Sequence, residues 1–221
     1  MTWEHGDVDA SESAMQTCRF GHTQGNDRKC REELDFGSAS AKFECESHNS
    51  ATKNNDKGVD IMPRHPAAAI ANEFLRRRGS STLPSQMFIQ KLAYIAHGWN
   101  LAINKEPLIE ENPEAWDNGP VYRSIWDHIK DNGYQGQNCA LVDRFDGKEL
   151  VAELTSREKL VIDHVWKKYN SYSANKLSQM THEPDTPWSK AYFDRGRNAQ
   201  LSNDEIQKHY IELAMAGRGK R

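Results

Sequence analysis

Pro84-Ser85-Gln86-Met87-Phe88-Ile89-Gln90-Lys91-Leu92-Ala93-Tyr94-Ile95-Ala96-His97-Gly98-Trp99-Asn100-Leu101-Ala102-Ile103-Asn104 is the most apolar helical stretch of the chain. Phe88, Ile89, Leu92, Ile95, Ala96, Trp99 and Ile103 recur at spacings of three and four, the period of a helix face. A helix this apolar belongs at the centre of a core. Gly98 within it costs about 1 kcal/mol relative to alanine. That cost is tolerated where another helix must approach closely. Lys91 and His97 are polar in this setting, and His97 reads as a hydrogen-bonded structural residue rather than a ligand.

The neighbouring segments carry helix punctuation. Ala67 to Arg78 reads as a helix with Ile70, Phe74 and Leu75 inward. Arg76, Arg77 and Arg78 complement its negative end, and Gly79 stops it. A loop carries Pro107, Leu108 and Ile109. In Ala115-Trp116-Asp117-Asn118-Gly119-Pro120-Val121-Tyr122-Arg123, Gly119 permits a backbone angle that other residues resist. Pro120 reads as the first position of a helix reaching Asp131, with Val121, Ile125, Trp126 and Ile129 on one face. Leu141–Phe145 and Leu150–Leu154 flank Asp146-Gly147, a hairpin signal.

Thr155-Ser156-Arg157-Glu158 is a capping box that opens a helix to Tyr169, with Leu160, Val161, Val165 and Trp166 inward. Ser173 caps Ala174–Thr181, where Leu177 and Met180 are apolar, and His182-Glu183-Pro184 ends it. Trp188, Tyr192 and Phe193 form an aromatic patch. Ser202-Asn203-Asp204-Glu205 is a second capping box, stapled by Leu201 and Ile206, and its helix runs to Ala216. The expected fold is mainly α: a compact helical domain of about six helices with a small β-hairpin, preceded by a disordered N-terminal tail.

Charge and aliphatic content divide the chain at Met62. Residues 1–61 carry a net charge of −5 and residues 62–221 a net of +2. Before Ile61 the only Val, Leu or Ile residues are Val8, Leu34 and Val59. Such a stretch buries too little apolar surface to offset its ordering entropy. The expected division is an acidic tail or over-extended start at 1–61, a helical domain at 62–217 and a basic tail at 218–221. A chain beginning at Met62 is expected to show the same cooperative melt as the full chain. A large fall in melting temperature, or stoichiometric zinc in the full chain, would overturn this.

Cys18, His22, Cys30, Cys45 and His48 contain no Cys-x2-Cys pair, so no metal site is expected. Cys139, alone in the later part, fits a reducing compartment. No apolar leader and no run of about 20 apolar residues is present, so the expected location is cytoplasmic.

Enzyme motifs are missing. There is no Walker loop and no Gly-x-Ser-x-Gly elbow, and His182-Glu183 is followed by Pro184 rather than by a zincin pattern. No catalytic residue, cofactor or metal ligand is assigned. The near-neutral folded part carries no basic stripe interleaved with aromatics, which argues against nucleic acid. Tryptophan is more informative, because it is enriched at binding hot spots. Trp99, Trp126 and Trp166 lie on apolar helix faces. Trp116 and Trp188 lie on loops or short elements, and with Tyr122, Arg123 and His182 they are the candidate partner-binding residues.

Three segments together resemble the Panacea domain, the family of SocA-like antitoxins and GepA-type phage-associated proteins. The first is Ile89-Gln90-Lys91-Leu92-Ala93-Tyr94-Ile95-Ala96-His97-Gly98. The second is Ala115-Trp116-Asp117-Asn118-Gly119-Pro120-Val121. The third is Leu177-Ser178-Gln179-Met180-Thr181-His182-Glu183, followed by Pro187-Trp188 and Ala191. Lys91, Leu92, Tyr94, Gly98, Gly119 and Pro120 carry the structural part of this likeness, and Ala93 departs from the family's larger aliphatic residue.

The resemblance covers residues 66–193. It implies a helical, non-enzymatic protein of phage or mobile-element origin whose partner is a cognate toxin. Such a protein neutralises the toxin by direct contact, or presents it as an adaptor to a ClpXP-type protease. A phage-encoded modulator of a host protein and a hydrolase using histidine and carboxylates remain the alternatives. Oligomeric state is not legible.

Overall fold

The computed structural model describes residues 64–79, 83–134 and 140–218. The five sequence-level metal candidates, Met62 and Cys139 lie outside these residues. Seven helices are present among the described residues: α1 (Ala67–Arg78), α2 (Gln86–Asn104), α3 (Arg123–Asn132), α4 (Ser156–Tyr169), α5 (Ala174–Thr181), α6 (Pro187–Lys190) and α7 (Asn203–Arg218). A π-helical turn, Ala191–Arg195, extends α6. Strands β1 (Glu114–Trp116) and β2 (Gly119–Val121) form the two-stranded antiparallel sheet.

Helix α2 is the axle of the fold, as its composition predicts. Every residue from Phe88 to Leu101 is buried. Helices α1, α3, α4, α5 and α7 and strand β2 all pack on it. A helix enclosed on all sides must satisfy its own polar side chains, and α2 does so with loop backbone. Gln90 pairs with both backbone groups of Tyr122, at 3.0 and 2.9 Å. Lys91 Nζ donates to Pro120 O at 3.0 Å, and Asn100 donates to Glu106 O at 2.7 Å. His97 Nδ1 accepts from Ile109 N–H at 3.2 Å, so its other nitrogen, Nε2, is the donor to Asn203 Oδ1 at 2.9 Å. The irregular connection between α2 and α3 is therefore tied residue by residue to the central helix.

Several local readings are reproduced. Thr155 and Glu158 form the reciprocal capping box of α4. Ser173 caps α5, and Gly79 closes α1 with its N–H on Leu75 O. The triple arginine is largely consumed within the fold: Arg76 and Arg77 pair with Glu73, Glu149 and Asp163.

Other readings require correction. The sheet lies at Glu114–Val121, not at residues 141–154. There, only Val142 and Glu149 form an isolated bridge. Backbone bonds from Leu150 N–H to Leu141 O and from Asp143 N–H to Lys148 O close a tight turn around Asp146-Gly147 without forming strands, and Asn72 on α1 ties it down by taking the Leu141 N–H and the carbonyls of Leu141 and Leu150. Pro120 lies in β2 rather than at a helix start. Tyr122, held extended by Gln90, precedes α3, which begins at Arg123. Ile103 and Leu160, expected inward, are both 41% exposed. Ile103 lies in the last turn of α2, beyond the buried run that ends at Leu101. On α4 the buried face is Val161, Ile162 and Val165 instead.

Candidate functional site: the turn between Trp116 and Tyr122

Strands β1 and β2 pair Glu114 with Val121, Ala115 with Pro120 and Trp116 with Gly119, which leaves Asp117-Asn118 as a two-residue turn. Gly119 sits at φ +102°, a conformation L side chains rarely adopt. Neither edge of this small sheet is free. Residues 198–201 run along β1, with Ala115 N–H on Ala199 O, Asn198 N–H on Ala115 O and Leu201 N–H on Pro113 O. Helix α2 covers β2.

The turn's carbonyls are held one by one. Trp188 Nε1 donates to Trp116 O at 2.8 Å. His182 Nε2 lies 3.0 Å from Asp117 O. Ser178 Oγ donates to Asn118 O at 2.9 Å. Lys91 and Gln90 hold Pro120 O and Tyr122 O. Three segments distant in sequence, those of the resemblance, thus meet in space: α2 from below, α5 and α6 from one side, with the turn between them. A turn left to itself would fray in water, and these donors give it one geometry.

Side chains of the turn are fixed as well. Tyr192 OH donates to Asp117 Oδ1 at 2.9 Å, and Arg197 pairs with Asp117 Oδ2. Trp116 Nε1 donates to Glu114, which also receives Arg123 through Nε and Nη2. The Arg123 guanidinium lies over the Trp116 ring at 5.2 Å, and the Trp116 and Trp126 rings meet at a tilt of 59° with centroids 5.3 Å apart. Lys130 covers Trp126 at 4.7 Å. The outcome is a row of cation, indole, indole and cation on the surface. Beside it, Trp116, Asp117, Asn118, Arg123, Arg197 and Asn198 line an open depression of about 500 Å³.

The structure sorts the five candidate partner-binding residues. Trp116 and His182 are half-buried and Arg123 is exposed. Tyr122 and Trp188, expected at the surface, are instead 0% and 4% exposed. Tyr122 follows the turn into the core beside His97, and Trp188 points inward because its indole N–H is spent on Trp116 O. The structure brings Trp116, His182 and Trp188 together, whereas the Tyr122 side chain turns away. Gln90, Asp117, Ser178, Tyr192 and Arg197 were missed as site residues. Gln90 could have been found, because a glutamine inside a fully apolar helix needs a partner.

The hydrolase alternative required His97 and His182 to converge with a carboxylate. They do not share partners. His97 is fully buried, and burial pushes its pKa down to about 4, partly offset by its bond to Asn203. His182 faces two backbone carbonyls, those of Ser178 and Asp117. Among the described residues no group of His, Cys, Asp and Glu is arranged to hold a metal.

Lys91 is the unusual charge of the site. It is 1% exposed, and burial pushes its pKa from 10.5 down to about 7. The unfolded chain therefore binds a proton that the folded chain loses across that window, and stability rises with pH there. The gain attributable to Lys91 between pH 7 and pH 9 is about 2 kcal/mol. Denaturant unfolding at both pH values is expected to show this rise in the parent and to lack it in Lys91→Met. Parallel profiles in the two proteins would show that Lys91 is charged and solvated.

The family model described as "Antitoxin SocA-like, Panacea domain" matches residues 89–189. Antitoxin SocA of Caulobacter vibrioides (strain NA1000 / CB15N) is 28% identical over 140 residues, covering 61% of this chain and 74% of that protein. No solved structure matches the chain. Among the described residues no helix is long and apolar enough to cross a membrane. The matched interval opens at Ile89 and closes at Ser189, so it takes in most of α2, the clamped turn, α5 and most of α6: over residues 89–189 the chain matches the Panacea domain of SocA-like antitoxins.

Proposed function

We propose that this chain is an antitoxin-like protein that binds a cognate toxin through the face built on the Asp117-Asn118 turn. It then neutralises that toxin by direct contact or presents it to a ClpXP-type protease. The observation that carries the reading is the clamp. Five side chains from α2, α5 and α6 fix the backbone of one short turn, and the turn displays Trp116 and Arg123 outward. A rigid loop bearing tryptophan and arginine has the composition of an interaction hot spot, with its ordering cost already met before binding. The family supports a regulatory rather than enzymatic role.

The test is capture of a partner by the full chain, identification by mass spectrometry, and affinity measurement with variants. Arg123→Ala removes an exposed ion pair, so it is expected to leave the melting temperature nearly unchanged. The same change is expected to weaken the partner about tenfold or more. Full affinity in Arg123→Ala, Trp116→Ala and His182→Ala alike would place the interface elsewhere.

A further inference from the structure

The depression beside the turn has a one-sided hydrogen-bonding capacity. Arg123 directs two N–H donors at Glu114 and Arg197 directs one at Asp117, out of five on each guanidinium. The side-chain amides of Asn118 and Asn198 make no hydrogen bond among the described residues, and both residues are exposed. On the acceptor side, each oxygen of Glu114 and of Asp117 already receives a donor. What remains unspent around the rim is mostly N–H. Next to it lie the half-buried rings of Trp116 and Trp126.

From this we infer that the depression receives an acidic side chain of the protein partner, with an apolar neighbour of that residue lying along the two indoles. The inference rests on the interface reading above and names its chemistry. A carboxylate accepts two parallel N–H bonds from a guanidinium, and charge-assisted bonds of this kind are the stronger class. Arg123 and Arg197 flank the depression, and the two amides offer further donors. Phosphate also accepts from arginine, but Glu114 and Asp117 stand at the same rim and oppose a doubly charged anion more than a singly charged one. The cis carboxylates have a second effect. They hold both guanidiniums in place before the partner arrives, which lowers the entropy lost on binding.

The probe is an acetylated and amidated hexapeptide of alternating leucine and glutamate, with its leucine–glutamine twin as the uncharged control. Binding to the full chain is followed by NMR at the Trp116 indole N–H and at the Asn118 and Asn198 side-chain amides. The acidic peptide is expected to shift these signals and to bind at least tenfold more tightly than its twin. Arg123→Gln and Arg197→Gln are each expected to remove that difference without lowering the melting temperature.

Equal binding of the two peptides, no binding of either at millimolar concentration, shifts confined to another face, or displacement by equimolar inorganic phosphate would each overturn the inference. Its failure separates from failure of the interface reading through the captured partner. A partner sensitive to Trp116→Ala but indifferent to Arg197→Gln keeps the face and rejects the acidic chemistry. A partner indifferent to both rejects the two together.

Discussion

Replacing Gly119 by valine is expected to cost about 4 kcal/mol, an effect at the rare end for a single substitution. Two separate penalties add. The backbone at φ +102° is strained for any residue with a side chain, by about 1–3 kcal/mol. A Cβ at this position would also lie 2.7 Å from Lys91 Cε and 2.8 Å from Thr181 Oγ1. Neither neighbour can swing away. Lys91 is buried with its amine on Pro120 O, and the Thr181 hydroxyl is committed to Ser178 O at 2.8 Å. Overpacking of such a site costs about 1–3 kcal/mol more.

Gly133 provides the control. It too has a positive φ, +64°, but nothing lies within 4 Å of its would-be Cβ. Gly133→Ala should therefore show the strain penalty alone, about 1–3 kcal/mol. Denaturant melts of Gly119→Ala, Gly119→Val and Gly133→Ala decide the matter. If Gly119→Val costs no more than Gly133→Ala, the turn is not clamped from beneath, and the proposed binding face loses its rigidity.

The same turn shows what could be read in the sequence and what could not. A glycine was needed at position 119, and that was legible because a tryptophan, a proline and a helix crowd around it in a few residues. Its setting in a hairpin was not. Strands of three residues are too short to display a period of two, and the φ of proline suits a strand edge as well as a helix start. Gln90, 32 residues away, fixes Tyr122 in extended form, and only tertiary structure reveals that contact.

Helix α2 is the opposite case. Its enclosure is so complete that composition alone places it at the centre. The capping box of α4 was legible because its chemistry is local, whereas at α7 the Ser202 hydroxyl accepts from Asp204 N–H instead of the Glu205 N–H that a capping box would use. The surface of the site was less legible. Tyr122 and Trp188 share the hot-spot residue types of Trp116 and Arg123, but the Trp188 indole N–H is drawn inward to Trp116 O while that of Trp116 goes to the Glu114 carboxylate, and Gln90 fixes the Tyr122 backbone so that its ring enters the core.

Gly98→Ala is expected to destabilise the protein by about 3 kcal/mol, against the gain of about 1 kcal/mol that alanine normally brings to a helix interior. An added Cβ would lie 2.1, 2.4 and 2.5 Å from three ring atoms of Tyr210. That ring is 4% exposed and is boxed in by Tyr94 and Trp99, at centroid separations of 6.2 and 5.4 Å. Helix α7 would have to lift from α2. The displacement would then reach the site, because α7 follows directly on residues 198–201, which run along β1, and Asn203 at its start is bonded to His97. The decisive measurement is a double-mutant cycle. With Tyr210 truncated to alanine the clash is gone, so adding Gly98→Ala should become neutral or stabilising, giving a coupling of about 3–4 kcal/mol. Additive costs would mean that the close approach of α7, the reason for a glycine on the central helix, is not what Gly98 provides.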